Sequence, residues 1–275
     1  MESTGKGSAG VKAKYVPPYQ RRKKSESSGH RSATAGGGRL PFSVKLSRPQ
    51  ANWQDNWVLG DYAKNEARTK HRQLIVLDLN GTLIKRGPRG KDGSRAGYAR
   101  PHLTEFLQFI LKHFAVMVWS SAQPYSVNNM LQCFMNEQQK RFVRVWDRRF
   151  CDLDGFYHGK TRTTKDLLKI TGGYSLADSP HRDVYGTYKG YLGIAPEVKD
   201  HWTLENMMLV DDSETKAALQ RDNHLHISTF EDLRHDDELL HLQRYLQVYI
   251  DSRDQFPDLV SYLKQRPWSE FPRSL

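Results

Sequence analysis

Two runs of apolar residues fix most of what this chain can become: Leu74-Ile75-Val76-Leu77 and Ala115-Val116-Met117-Val118-Trp119. They are among the longest in the sequence. Four or five residues is strand length, far short of the ~18 that a membrane-spanning helix needs. An apolar run without alternation suits a strand covered on both faces, as in a parallel sheet. Helical patterns lie between such runs. Over 101–114, Leu103, Phe106, Leu107, Ile110, Leu111 and Phe114 recur at helical spacing behind a proline. The pattern predicts a second helix over 124–139, strands over 142–146, 206–211 and 224–227, and closing helices over 231–250 and 255–264. Strand and helix alternate, so the expected fold class is α/β: a Rossmann-like parallel sheet with helices on both faces.

Charge separates this body from the first fifty residues. The 275-residue chain carries 42 Lys and Arg against 31 Asp and Glu, a net +11. Residues 1–50 hold eleven of the basic side chains and two of the acidic ones, a local +9; the rest is nearly balanced. Gly- and Ser-rich, with few large apolar residues, this segment cannot offset the entropy of ordering and is expected to be disordered. Arg21-Arg22-Lys23-Lys24 reads as a nuclear-targeting or nucleic-acid-contacting run, whose binding would be salt-dependent. No apolar leader core precedes it. Glu2 and the preference for Lys over Arg argue against mitochondrial import and for a nuclear or cytoplasmic location. Residues 51–71, with Trp53 and Trp57, read as a linker packing onto a domain over 72–275. Only two cysteines occur, Cys133 and Cys151, which excludes a disulfide scaffold and a four-thiolate zinc site and leaves two free thiols.

In parallel sheets chemistry gathers beyond the carboxyl ends of the strands. Here those ends deliver Asp78, Ser120 and the pair Asp211-Asp212. A strand-end carboxylate followed by a tight turn and a hydroxyl, Asp78-Leu79-Asn80-Gly81-Thr82, suits a nucleophile that attacks phosphorus. Phosphate and carboxylate are both anionic, so a Mg2+ held by oxygen ligands is expected, with Asp211 and Asp212 as donors. Ser120 can donate to a phosphoryl oxygen. Lys165 can pair with the phosphate, and Lys160 competes for that role. His224 and His226 lack a third ligand and read as structural.

Five motifs in order carry a resemblance: Asp78-Leu79-Asn80-Gly81-Thr82, Arg100-Pro101-His102-Leu103, Trp119-Ser120-Ser121, Lys165-Asp166-Leu167 and Val210-Asp211-Asp212-Ser213. Together with Arg148-Arg149-Phe150-Cys151 they resemble the CTD phosphatases of the haloacid-dehalogenase superfamily, over roughly residues 72–250. The resemblance implies an aspartyl-phosphate on Asp78 and an acid/base role at position 80. It implies phosphate contacts from Thr82, Ser120 and Lys165, and Mg2+ held by Asp78, Asp211, Asp212 and the backbone carbonyl of Asn80. The implied substrate is phosphoserine or phosphothreonine in a protein or peptide. Two features depart from the pattern. Asn80 stands where catalytic members carry an Asp that exchanges protons, which predicts slow turnover. An insert at about 168–203, with Tyr174, Tyr185, Tyr188 and Tyr191, replaces a short connection and suggests a contact surface. Trp119 to Pro124 also resembles the presequence receptor of the mitochondrial inner-membrane translocase, so the alternative is an inactive peptide-binding pseudophosphatase.

Overall fold

The apolar runs lie at the centre of a five-stranded sheet. In the computed structural model, which describes residues 43–46, 73–91, 95–134, 136–139, 141–172, 178–181, 202–231 and 234–273, the strands are β1 (Ser43–Leu46), β2 (Leu74–Leu77), β3 (Ile84–Arg89), β4 (Arg95–Ala99), β5 (Ala115–Trp119), β6 (Arg144–Trp146), β7 (Asp152–Leu153), β8 (Thr163–Thr164), β9 (Met207–Asp211) and β10 (His224–His226). The helices are α1 (Leu103–His113), α2 (Pro124–Leu131), α3 (Asn136–Gln139), α4 (Leu168–Thr171), α5 (Glu238–Ser252) and α6 (Leu259–Gln265). The main sheet runs β10-β9-β2-β5-β6, and every neighbouring pair is parallel. The predicted α/β class therefore holds. No helix among the described residues is long and apolar enough to cross a membrane.

Unbroken apolarity has its expected cause. Side chains alternate between faces along a strand, and each face of this sheet has its own core. Ile75, Leu77, Val116, Val118, Met208 and Val210 pack with α1, α2, α5 and α6. Leu74, Val76, Met117, Trp119, Met207 and Leu209 pack on the other side with Phe150, Ile170 and Trp202. Among the described residues, that second face is covered by the single-turn α4 and short 3-10 segments. Trp146 bridges there, stacked on Phe150 and edge-on to Trp119.

Three sequence expectations need correction. The tail boundary at residue 50 is wrong at one point, because β1 lies inside it and pairs antiparallel with β4, in a three-stranded sheet of order β1-β4-β3. Ser43-Val44-Lys45-Leu46 alternates apolar and polar, and the pattern is too short to stand out from a basic segment. The single helix expected over 124–139 is two. Leu131, Cys133 and Phe134 all turn into the core, and the Gln139 amide donates to the Leu131 and Phe134 carbonyls at 2.8 and 3.0 Å, closing the break. The closing helices start later than expected. Arg100 holds Asp236 just before α5, and Asp258 caps α6 by accepting from Ser261 N at 2.7 Å. The remainder of the basic segment, the linker with its two tryptophans, and most of the insert with its tyrosines lie outside the described residues.

Both cysteines are free and buried. Burial pushes the Cys133 thiol up to about 11 and that of Cys151 to about 12, so both are inert core groups at neutral pH.

Candidate active site

Three adjacent central strands end side by side: β2 at Asp78, β5 at Ser120 and β9 at Asp211. Parallel register aligns them, and Asp78 N continues the ladder by donating to Val210 O at 3.0 Å. Beyond Asp78 the chain must turn at once. Leu79 O accepts from Leu83 N and Ile84 N at 2.8 and 2.9 Å, and Gly81 takes φ +96°. Glycine is needed there twice over, since an added Cβ would also meet Asp212 Oδ2 at 2.2 Å. The turn is pinned from behind by Arg100, which is buried. Its guanidinium donates to Thr82 O at 2.9 Å and grips Asp236 at 2.7 and 2.9 Å.

Five charged side chains meet at this sheet edge, two of them fully buried carboxylates. Lys165 Nζ donates to Asp78 Oδ1 at 2.7 Å and to Asp211 Oδ2 at 2.6 Å, and all three residues are buried. Lys216 Nζ reaches the other oxygens, Asp211 Oδ1 at 3.0 Å and Asp78 Oδ2 at 3.3 Å, and lies 3.7 Å from Asp212 Oδ1. Two buried carboxylates are thus matched by two ammoniums, which is how a low-dielectric site holds charge. Burial alone would raise the Asp211 carboxyl, but Lys165 and Lys216 outweigh it and hold it below the usual range. Burial likewise raises Asp212, against the pull of Lys216. Lys216 is raised: burial would lower it, and Asp78, Asp211 and Asp212 together reverse that.

The site fits a hard divalent cation. Asp78, Asp211 and Asp212 each offer an oxygen, all within 4.8 Å of one another. Asp212 Oδ1 is buried and accepts no hydrogen bond. Carboxylate oxygens are the donors Mg2+ prefers. In this arrangement Lys216 is the ammonium that lies within 3.7 Å of all three.

Of the residues singled out by sequence, Asp78, Lys165, Asp211 and Asp212 come together. Lys160 is exposed and takes no part. Asn80 sits at the mouth, its Oδ1 accepting from Arg86 Nε at 3.1 Å. Ser120 is buried beside Asp78 in the same cavity wall, with its Oγ accepting from Ala122 N at 3.3 Å. Thr82 does not line the cavity; its hydroxyl accepts from Asp212 N at 3.2 Å and fixes the turn to β9. His224 and His226 bond the Asp211 and Asp212 carbonyls through their rings, a bracing role that matches the structural reading. Lys216 was missed, because it lies in a turn after β9 outside every motif. So was the cavity wall: about 530 Å3 of space opens from Asp78 along Arg86, Arg89, Arg95 and Arg148.

The family described as NLI interacting factor-like phosphatase matches residues 73–257. An FCP1 homology domain-containing protein of Schizosaccharomyces pombe is 33% identical over 192 residues, 65% of this chain and 72% of that protein. A CTD phosphatase-like protein of Invertebrate iridescent virus 3 is 28% identical over 208 residues, 65% of this chain and 97% of that protein. Among solved structures, Fcp1, an essential RNA polymerase II CTD phosphatase, aligns at 14% identity with a TM-score of 0.35. That alignment covers 79% of this chain and 58% of Fcp1. A fission yeast Fcp1 variant bound to beryllium fluoride aligns at 13% identity and TM-score 0.36, over 75% and 57%. The chain therefore spans under two thirds of the solved phosphatases it matches.

Proposed function

The chain belongs to the NLI interacting factor-like phosphatase family, and from that premise we propose a Mg2+-dependent phosphatase that works through an aspartyl-phosphate on Asp78. Its substrate is phosphoserine or phosphothreonine in a protein or peptide. The observation that carries this reading is the buried Asp78 carboxylate, held at 2.7 Å by Lys165 and opening on a solvent cavity. An Asp78 oxygen attacks phosphorus and the bond to the leaving oxygen breaks. Lys165 and the Ser120 hydroxyl hold the transferring phosphoryl group, offsetting its charge from positions the fold has already fixed. Water then cleaves the acyl phosphate, returning the carboxylate and inorganic phosphate. When bound by Asp78, Asp211, Asp212 and the Asn80 carbonyl, Mg2+ supplies neutralisation of the approaching phosphate.

Asn80 sets the rate. An amide cannot pass a proton to the leaving oxygen or take one from water, and such help is typically ~10²–10⁴-fold. Turnover is therefore slow, and aryl phosphates, whose leaving groups need little protonation, react best. The test is aryl phosphate hydrolysis with Mg2+, natural protein against Asn80→Asp, with intact-protein mass spectrometry for the phosphoryl group. Absence of both hydrolysis and phosphoryl-enzyme in both proteins would end the enzyme reading.

The second reading is a pseudophosphatase that binds phosphopeptides without turnover. Asn80 favours it, as does Lys216, whose ammonium already touches the three carboxylates that would bind metal. The basic segment over 1–50 supports a nuclear or cytoplasmic location and a salt-dependent polyanion contact.

A further inference from the structure

Several arginines in this molecule are held by acids. Arg100 grips Asp236, Arg149 holds Asp147 at 2.5 and 2.9 Å, and Arg273 pairs with Glu238. The cavity wall is different. Arg86 and Arg89 on β3, Arg95 on β4 and Arg148 after β6 all line it, and among the described residues none of the four pairs with a carboxylate. Their bonds are to neutral oxygens. Arg86 donates to the Asn80 amide, and Arg95 Nη1 to Gly87 O at 3.0 Å. Arg148 Nη2 donates to Gly159 O at 2.9 Å, while its buried Nε has no partner.

The pairing register sharpens the point. Arg89 stands directly opposite Arg95 across the hairpin. Like charges at directly opposed positions repel and destabilise a sheet, where an acid in either place would help. An array of this kind becomes favourable when a ligand brings the missing negative charge. One phosphate cannot use it all. A phosphoryl group at Asp78 is already served by Lys165 and Ser120, and each guanidinium adds five donors.

We propose that this arginine wall is a second anion subsite, and that the preferred ligand is a peptide carrying a further phosphate about three residues from the one that reaches Asp78. This rests on the phosphopeptide reading above. The spacing follows from the strand. Arg86 is tied to Asn80 at the reacting end, and Arg89 lies three residues further along β3, about 10 Å at ~3.3 Å per residue. An extended peptide covers that distance in about three residues. A peptide is favoured over single-stranded nucleic acid because, among the described residues, the cavity presents one aromatic ring, Tyr125, where strands of bases need a series of stacking platforms.

The test is fluorescence anisotropy with the full chain, magnesium withheld to prevent turnover. Labelled peptides of one sequence carry a single phosphoserine, a second phosphoserine three residues to either side, a second one adjacent, or Glu three residues away. We expect one three-residue arrangement to bind about 10- to 100-fold tighter than the single phosphate, the scale of charge-assisted bonds. Arg89→Gln/Arg95→Gln should bring that ratio to within about threefold of one. A Glu peptide of intermediate affinity identifies an acidic flank as sufficient; one no better than the singly phosphorylated peptide identifies phosphate as the required group. Equal binding of the single and doubled peptides overturns the proposal without any variant. It also falls if the preference survives in the double variant or in the milder Arg89→Gln, or if a single-stranded RNA of equal charge competes as well as the best peptide. Binding is read apart from hydrolysis, so failure to turn over phosphate would count only against the enzyme reading.

Discussion

Two charged regions of this domain face the same cavity and are built on opposite terms. At the sheet edge, Asp78 and Asp211 are fully buried, and each contacts both Lys165 and Lys216. Along the β3–β4 hairpin, Arg86, Arg89 and Arg95 are only partly buried or exposed, and their contacts are neutral. The contrast follows from solvation. A buried ion costs several kcal/mol unless partners compensate it, so the fold must supply them. A partly solvated ion costs little, so its partner can be left to a ligand. Charge matched internally belongs to the folded state; charge left unmatched is available for recognition.

The sharpest way to break this comparison is at the nucleophile. Asp78→Asn keeps the shape and removes the attacking carboxylate, so hydrolysis and the phosphoryl-enzyme should both fall to background. Undiminished hydrolysis in that variant would take Asp78 out of the chemistry. Next comes Asn80→Asp, which restores a proton-exchanging group. Turnover should rise by ~10²–10⁴-fold, toward the lower end. Arg86 Nε already lies 3.1 Å from the Asn80 oxygen and would hold the new carboxylate's pKa down. A gain that grows further on adding Arg86→Gln would support this account, and an unchanged rate in Asn80→Asp would refute it.

Stability separates the two regions directly. Lys165→Met removes the ammonium shared by two buried carboxylates and should cost about 3–5 kcal/mol, the usual penalty for breaking a buried pair. Arg89→Gln should stay within about 0.5 kcal/mol, as an exposed substitution without a carboxylate partner. Urea denaturation midpoints measure both. Similar losses in the two variants would erase the distinction drawn between matched and unmatched charge.

The sequence was legible where burial leaves a pattern. Leu74–Leu77, Ala115–Trp119 and Met207–Asp211 are apolar because both faces are covered, and their ends point to Asp78, Ser120 and Asp211. Lys165 stood out by its place among ordered motifs. What escaped notice has no pattern to offer. Lys216 is positioned by a turn, through Lys216 N donating to Ser213 O at 3.1 Å, and turns carry no apolar period. The β3 segment Ile84-Lys85-Arg86-Gly87-Pro88-Arg89 contains Pro, Gly and three bases, and so looks like solvated surface. Its arginines matter only because antiparallel pairing with β4 turns Arg89 toward Arg95, a relation between residues that sequence spacing does not reveal.

The last comparison, read by melting temperature, tests whether Lys216 and a divalent cation share one place. Lys216 is 15% exposed and bonds Asp78 and Asp211 at 3.0–3.3 Å. Its removal in Lys216→Met leaves Asp78, Asp211 and Asp212 with Lys165 alone, three negative charges against one positive. Without magnesium the variant should lose about 1.5–3 kcal/mol, the worth of hydrogen bonds to charged groups, less than Lys165→Met because its site is wetter. With magnesium the sign of the comparison changes. A ligand that binds only the folded state stabilises it by RT ln(1 + [L]/Kd), so tighter binding means a larger shift. The natural protein must displace an ammonium before the three carboxylates can close on a cation. Lys216→Met need not, and millimolar Mg2+ should raise its melting temperature by more than it raises that of the natural protein. Equal shifts in the two would mean that Lys216 sits beside the cation position rather than in it, and that this lysine belongs with the charges matched for folding alone.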